Sequence, residues 1–129
     1  MFRSRASSEA SQDNHTTDGR ATKIRTLNDD FRTRLPRPIS GCKLIITDGV
    51  NSLPPNHFAE LLLAVRSFSD FNDDNDPHGE HDFGSIEHNG QRCFWKIDYY
   101  DQWMQFASPD ASDPAVTTRA LTIMLASEY

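Results

Sequence analysis

The chain has 129 residues, of which 36% are hydrophobic and 25% are charged, and its formal net charge is −6. This length suits one domain, and no apolar run approaches the roughly 18 residues that a membrane span needs. The charge is uneven, because residues 1–37 carry +3 and residues 38–129 carry −9. An acidic body argues against direct nucleic-acid binding, which needs Lys and Arg, and favours a cation or a basic partner.

The first 21 residues have the composition of a disordered tail. Phe2 is their only large apolar side chain apart from the initiator methionine, so they cannot bury enough surface to fold. No apolar stretch typical of a secretory signal follows the basic start, and Glu9 and Asp13 are atypical of a mitochondrial transit peptide. We therefore predict a tail over residues 1–21 and a single α+β domain over residues 22–129. Cys42 and Cys93 are expected to be reduced thiols in a cytoplasmic protein.

The first half of the domain predicts a helix, a strand and a second helix. One helical stripe precedes the PRP sequence at 36–38 and consists of Ile24, Leu27, Phe31 and Leu35. The β-branched run CKLIITD at 42–48 lies between two glycines and is typical of a strand. Pro54 and Pro55 then open a second helix, whose apolar face lies in NHFAELLLAVRSF.

The second half predicts a hairpin, a further strand and a last helix. FGSIEH and QRCFWKIDYY flank Asn89-Gly90, a strong signal for a two-residue hairpin turn. In the second arm the residues predicted to face the core are Cys93, Trp95, Ile97 and Tyr99. WMQFAS suggests a third antiparallel strand, and Asp113-Pro114 begins a predicted helix through AVTTRALTIMLASEY. The order α-β-α-β-β-β-α predicts an α+β fold, with a small, mostly antiparallel sheet packed against about three helices.

Several long motifs resemble one bacterial family, domain of unknown function 3768. They run from NDPHGEHDFG through FWKIDYYD to SPDASDPAVTTRALTIMLASEY, and IRTLND and LPP fit upstream. The resemblance covers about residues 23–129 and implies alphaproteobacterial relatives, sometimes encoded on plasmids. His78 departs from the family pattern, where tyrosine is more usual, which weakens any role for His78 as an essential ligand. The resemblance implies no established activity, so the function stays open.

The segment DFNDDNDPHGEHDFG at 70–84 concentrates six acids and two histidines, with no Lys or Arg between Arg66 and Arg92. The candidate metal ligands are Asp74, Asp76, Glu80, His81 and Asp82. A calcium loop starting at Asp74 lacks its final glutamate, since Ser85 stands there. In an extended chain, Glu80 and Asp82 also point away from His81. No cofactor is therefore expected, with a divalent cation as the alternative.

Catalysis is the alternative interpretation of the same segment. Glu80, His81 and Asp82, together with Lys96 and Asp98, offer carboxylates, an imidazole and an amine for acid–base or metal-dependent chemistry. The sequence contains neither a nucleophile elbow nor an HExxH motif, and no cysteine pair has zinc-site spacing. These absences lead us to favour a role other than catalysis.

Binding is the preferred interpretation for this small acidic domain. Asp73, Asp74 and Asp76 offer negative charge to a basic protein partner, and Trp103 is the best candidate for an exposed aromatic anchor. The acids would also suit a nucleic-acid-like surface on a protein associated with mobile elements. Asp and Asn equally favour turns by bonding to their own backbone, so part of the segment is expected to be structural.

Overall fold

A four-stranded sheet and three helices form the part of the chain that the computed structural model describes, residues 15–129, with side chains described from Gly19 onward. The helices are α1 His15–Thr33, α2 Asp48–Asn51 and α3 Pro55–Arg66, and the strands are β1 Cys42–Ile46, β2 Phe83–His88, β3 Gln91–Tyr100 and β4 Thr118–Leu125. Short 3-10 turns cover Pro114–Val116 and Ala126–Glu128. The predicted α+β class is confirmed.

The strands lie in the order β1-β4-β3-β2. β1 runs parallel to β4, whereas β4 with β3 and β3 with β2 are antiparallel. The hairpin between β2 and β3 turns at Asn89 and Gly90, whose φ angles are 51° and 78°. Both values lie in the left-handed region that this type of two-residue turn requires, so the predicted hairpin is confirmed.

Helices α1 and α3 cover one face of the sheet. The buried cluster between the layers joins residues of α1 and α3 to strand residues: Phe31, Leu35, Leu61, Val65, Trp95, Ile97, Leu121 and Ile123. The alternation in β3 predicts this correctly, because Cys93, Trp95 and Ile97 are all buried. Their neighbours Phe94, Lys96 and Asp98 therefore lie on the opposite face of the sheet.

Helix α1 begins at His15, inside the segment that composition assigns to a tail. Residues 1–14 of that predicted tail lie outside the described residues. The first turns of α1 approach the loop before β4, where Arg20 Nε lies 3.6 Å from Asp110 Oδ1. Amino-acid composition indicates only how much apolar surface a segment can bury, so it does not predict this tertiary contact.

The predicted C-terminal helix is wrong, because residues Thr118–Leu125 form β4. β4 lies between β1 and β3, so neighbouring strands bond both of its edges. Most of its side chains are buried on both faces, and this removes the alternation that identifies a strand in sequence. Asp113 does cap a helical turn by accepting from Ala115 N at 2.9 Å, but the turn ends at Val116.

The predicted third strand in WMQFAS is also wrong. The segment forms a turn that returns only to an isolated bridge between Tyr100 and Ala107. Met104 has a φ of 57°, which an extended strand does not allow. Asp101 N–H donates to Phe106 O at 2.8 Å and closes the turn. We call residues 101–106 the aromatic turn.

Candidate functional site

The acid-rich segment folds into a loop over residues 70–82, here named the acidic loop, before β2 begins at Phe83. Asp76 is buried, and its Oδ1 accepts the backbone N–H groups of Glu80 at 3.0 Å and His81 at 3.1 Å. At the outer end of the loop, Asn72 Oδ1 accepts from Asp74 N and Asn75 N. Asp76 and Asn72 therefore stabilise the loop by side-chain bonds to their own backbone, as their residue types favour.

His81 fixes the acidic loop to α1. Its Nδ1 lies 2.9 Å from Asp29 Oδ1, and its Nε2 lies 3.6 Å from Asp76 Oδ2. The imidazole also stacks on the Phe71 ring with centroids 3.7 Å apart and planes at 2°. A φ of 55° turns the backbone of His81 into the left-handed region and directs the side chain to these partners. Both ring nitrogens thus face carboxylates that belong to the fold.

Glu80 enters a buried polar network between α1 and the sheet. The Tyr99 hydroxyl donates to Glu80 Oε1 at 2.8 Å, and Asn28 Nδ2 donates to both the Tyr99 oxygen and Glu80 O. Asn28 Oδ1 in turn accepts from Arg119 Nε at 2.9 Å. Burial raises the pKa of Tyr99, and its hydrogen bond to Glu80 adds to the effect, so the phenol stays protonated as a donor.

Arg119 lies at the inner end of this network. It is buried on β4, stacks over the Tyr99 ring at 5.3 Å and donates from its terminal nitrogen to Ala111 O. Burial lowers the pKa of the guanidinium, although an arginine remains a cation at neutral pH. Its charge is compensated by carbonyl and amide oxygens, and Glu80 is reached only through Asn28 and Tyr99.

Asp82 is the last acid before β2. Its backbone oxygen accepts from Ile97 N at 2.9 Å, which begins the pairing with β3. Burial raises the pKa of the Asp82 carboxyl, with the neighbouring charge of Glu80 adding to the effect. The carboxyl group is therefore costly to ionise in this position, although a hydrogen bond from its own backbone N–H lowers the pKa and offsets part of the effect.

Lys96 and Asp98 lie on the other face of the sheet and form their own pair, with Lys96 Nζ 2.7 Å from Asp98 Oδ2. The hydrogen bond to Asp98 raises the pKa of Lys96 above its usual value. The network of Glu80 lies on the helix-covered face, where Tyr99 points. The candidate catalytic residues therefore divide between two faces and do not line one pocket.

No group of three or more His, Cys, Asp or Glu side chains is placed to hold a metal ion among the residues that the structure describes. Three of the candidate ligands have other partners, because Asp76 accepts backbone N–H groups, Glu80 accepts from Tyr99 and His81 bonds to Asp29. Asp74, a fourth candidate, is exposed at the outer end of the loop. The two cysteines are free thiols, and burial raises the pKa of both Cys42 and Cys93.

The exposed candidates lie at the rim of the acidic loop and on the aromatic turn. Asp73 and Asp74 are exposed, whereas Asp76 is buried. In the aromatic turn Trp103 is 71% exposed and Phe106 is 72% exposed. Asp101 supports this turn by accepting the N–H groups of Trp103 and Gln105 at 3.1 and 3.0 Å. The turn thus presents two large aromatic side chains to solvent.

The acidic loop and the aromatic turn meet along one edge of β3. Ile97 N donates to Asp82 O, and Tyr99 O accepts from Ser108 N. Residues 97 and 99 have the same parity, so their backbone groups point to the same edge. The end of the acidic loop and the segment that directly follows the aromatic turn are therefore bonded two residues apart on a single strand.

Residues 46–128 match the model of a family described as protein of unknown function DUF3768. The chain belongs to the DUF3768 family. The match includes the acidic loop, the aromatic turn and three of the four strands, whereas α1 precedes it. No curated protein and no solved structure matches the chain. None of the helices in the described region is long and apolar enough to cross a membrane.

Three residues that build this site in the DUF3768 chain are not among the site residues predicted from the sequence. Asn28 and Asp29 lie on α1 and Arg119 lies on β4, far in sequence from the acidic loop. One signal was available for Asn28, because it lies one turn from Ile24 on the apolar stripe and is fully buried. A polar side chain in that position requires hydrogen-bond partners from elsewhere in the fold.

Proposed function

We propose that this domain is a binding protein that holds a basic protein partner on the surface formed by the acidic loop and the aromatic turn. The observation that carries the proposal is their juxtaposition on β3, through the Asp82–Ile97 and Tyr99–Ser108 backbone bonds. One side of the surface supplies charge and the other supplies apolar area. That combination of a charged rim with aromatic anchors is typical of protein interfaces.

The acids available to a partner are those that the fold does not use. Asp70, Asp73 and Asp74 are exposed and form no ion pair within residues 19–129. Asp76 and Glu80 are engaged inside the loop and stiffen it. A rigid loop loses little conformational entropy when a partner binds, which favours association.

Trp103 and Phe106 supply the apolar part of the surface. Exposed aromatic side chains contribute strongly to binding when a partner buries them, and Trp is among the most frequent interface hot spots. The acids would raise the association rate with a cationic partner and suppress association with acidic ones. The proposal assumes a cytoplasmic setting, in which Cys42 and Cys93 remain reduced.

The alternatives have less support from the arrangement of the residues. An enzyme based on Glu80, His81 and Asp82 would need these groups free to act on a substrate. Glu80 and His81 instead bond to Tyr99 and Asp29. A nucleic-acid-like surface would need acids spread across a face, whereas the free acids of this surface, Asp70, Asp73 and Asp74, belong to one loop.

The test is quantitative affinity capture with the full chain as bait in a lysate of the organism that encodes it. The variant baits are Trp103→Ala and the double variant Asp73→Asn, Asp74→Asn. The matched control is Leu63→Ala, which alters an exposed apolar residue on α3. We expect to recover basic proteins that bind the wild-type and control baits but bind neither variant bait. Loss of a hot-spot aromatic corresponds to about 30-fold weaker binding.

Prey that binds the variant baits as well as the wild type would overturn the proposal, as would prey that is predominantly acidic. Raising the salt concentration should weaken the retained complex, because exposed charges are screened at higher ionic strength. A complex unaffected by salt would contradict the role of the acids. The role of Trp103 would then be decided by the Trp103→Ala bait alone.

A further inference from the structure

One edge of the sheet, along β1, has backbone groups that pair with no strand of the described chain. Arg119 N donates to Gly41 O and Thr47 N donates to Ile123 O, so the odd-numbered residues bond to β4. The N–H and C=O groups of residues 42, 44 and 46 consequently point outward. Cys42 N donates to Ile39 O at 3.0 Å, whereas the backbone N–H and C=O groups of Leu44 and Ile46 lie at the open edge.

Two apolar cavities lie beside this edge. One, of about 220 Å³, is lined by residues that include Pro36, Pro38 and Leu44. The other, of about 380 Å³, is lined by residues that include Ile46, Leu53 and Phe58. Both lie on the side of the sheet to which the even-numbered side chains of β1 point. An added strand would direct alternate side chains toward them, as in β-strand addition.

We propose that β1 of a second copy of this chain occupies the edge, antiparallel, about a twofold axis at Leu44. Leu44 N–H would then donate to Leu44 O of the second copy, and Ile46 N–H would donate to Cys42 O. The twofold axis repeats both bonds. The axis also places Ile46 of one copy beside Cys42 of the other, where its side chain meets the smaller cavity. The two sheets become continuous, which closes an exposed strand edge.

The charges at the two ends of β1 have opposite sign, so two copies related by the twofold axis are complementary in charge. Arg37 and Lys43 are exposed near the N-terminal end of β1, and Asp48 is exposed just after its C-terminal end. None of the three forms an ion pair with a described residue. Antiparallel pairing brings the basic end of each copy to the acidic end of the other. Parallel pairing would instead bring like charges together.

The register also makes a specific contact on the uncovered face. Lys43 of one copy would lie opposite Ile45 of the other in a non-hydrogen-bonded pair, where side chains approach most closely. Ile45 is 38% exposed in the single chain, which is unusual for an isoleucine in a strand. The aliphatic stem of Lys43 would cover it and leave the ammonium group in water.

The test compares Ile45→Lys with Ile45→Glu in the full chain by sedimentation velocity over a range of concentrations. Both substitutions remove the same apolar side chain, so the loss of burial is matched. Lysine at position 45 would lie opposite Lys43 of the second copy, and the twofold axis would repeat this repulsive pair. Glutamate at position 45 would instead place a negative charge opposite Lys43 in both pairs. We expect a wild-type dimer, a dissociation constant raised about tenfold or more by Ile45→Lys, and a dimer retained by Ile45→Glu.

A monomer throughout the concentration range would overturn the proposal, and so would a dimer that responds equally to the two substitutions. Amide hydrogen exchange of the wild-type chain gives a measurement that needs no variant. The Leu44 and Ile46 amides should exchange more slowly as the concentration rises, with the Ile39-bonded Cys42 amide changing least. Concentration-independent exchange at Leu44 and Ile46 would contradict pairing at this edge even if a dimer forms elsewhere.

Discussion

Asn28 Nδ2 donates a hydrogen bond of 2.8 Å to the Tyr99 hydroxyl, and this bond links α1 to β3 beneath the acidic loop. The same amide group bonds Glu80 O, and its oxygen accepts from Arg119 Nε. One buried side chain thus connects the first helix, the acidic loop and two strands. The geometry of the candidate binding surface therefore depends on a residue far from it in sequence.

Asn28→Ala should destabilise the fold strongly. The substitution leaves Arg119 Nε and the Glu80 carbonyl without a partner in a buried site, and each such loss costs about 1–3 kcal/mol. We expect the free energy of unfolding to fall by about 2–4 kcal/mol, measured by urea denaturation. Asn51→Ala, at an exposed asparagine of α2, is the control and should change stability little. Equal effects of the two substitutions would contradict the role given to Asn28.

Gly84→Ala should destabilise the core by overpacking. A Cβ at Gly84 would lie 2.7 Å from Trp95 Cε2 and 2.9 Å from Phe68 Cζ, closer than such atoms approach. Trp95 is fully buried, so relieving this overlap would displace neighbouring core side chains, and the expected cost is about 1–3 kcal/mol. Thermal unfolding followed by tryptophan fluorescence would measure it.

The matched control is Gly19→Ala in α1, where an added Cβ meets nothing within 4 Å. Alanine favours a helix over glycine by about 0.5–1 kcal/mol, so this variant should be slightly more stable than the wild type. A Gly84→Ala protein as stable as the Gly19→Ala protein would show that the sheet can relax around Trp95.

The sequence predicts the fold well where one face of a helix or strand is apolar and the other is exposed to solvent. The helix stripe through Ile24 and Phe31 and the alternation through Trp95 and Ile97 both satisfy this condition. β4 does not, because it has strands on both sides and is buried on both faces, and its residues Ala120–Met124 form a run that is apolar except at Thr122. Such a run is equally compatible with a helix until its neighbours are known.

The candidate site was predictable in its composition and unpredictable in its assembly. The acid-rich segment and Trp103 stand out in the sequence, whereas nothing in the sequence singles out Phe106, which is 72% exposed. Its position follows from the turn at Met104 and from the Tyr99–Ser108 bond. β2 begins only at Phe83, opposite Lys96, so the edge of β3 near Tyr99 is free for the returning chain to bond there.

Asp76→Ala should loosen the acidic loop selectively. The substitution removes the acceptor of the Glu80 and His81 amides, which are bonded at 3.0 and 3.1 Å. We expect faster hydrogen exchange at these two amides and a loss of about 1–3 kcal/mol in stability. Asp73→Ala changes an exposed acid of the same loop and should leave both quantities nearly unaltered. Unchanged exchange at Glu80 in the Asp76 variant would contradict this account of the loop.

Asp82→Asn should stabilise the protein at neutral pH, and the gain should vanish in acid. Burial, followed by the charge of Glu80, raises the pKa of Asp82 above its ordinary value of 3.8. The native state therefore holds this proton more tightly than the unfolded chain does, so ionisation of Asp82 costs stability above the raised pKa. Asparagine removes that cost without changing the size of the side chain.

The melting temperatures of the wild type and Asp82→Asn, measured from pH 8 to pH 3.5, would test this pH dependence. The difference should be largest above the raised pKa and should shrink toward zero below 3.8, where the wild-type carboxyl is protonated in both states. Asp74→Asn, at an exposed position, controls for the change in net charge. A difference that grows as the pH falls would mean that Asp82 is stabilised as a carboxylate, and the explanation from burial would then be wrong.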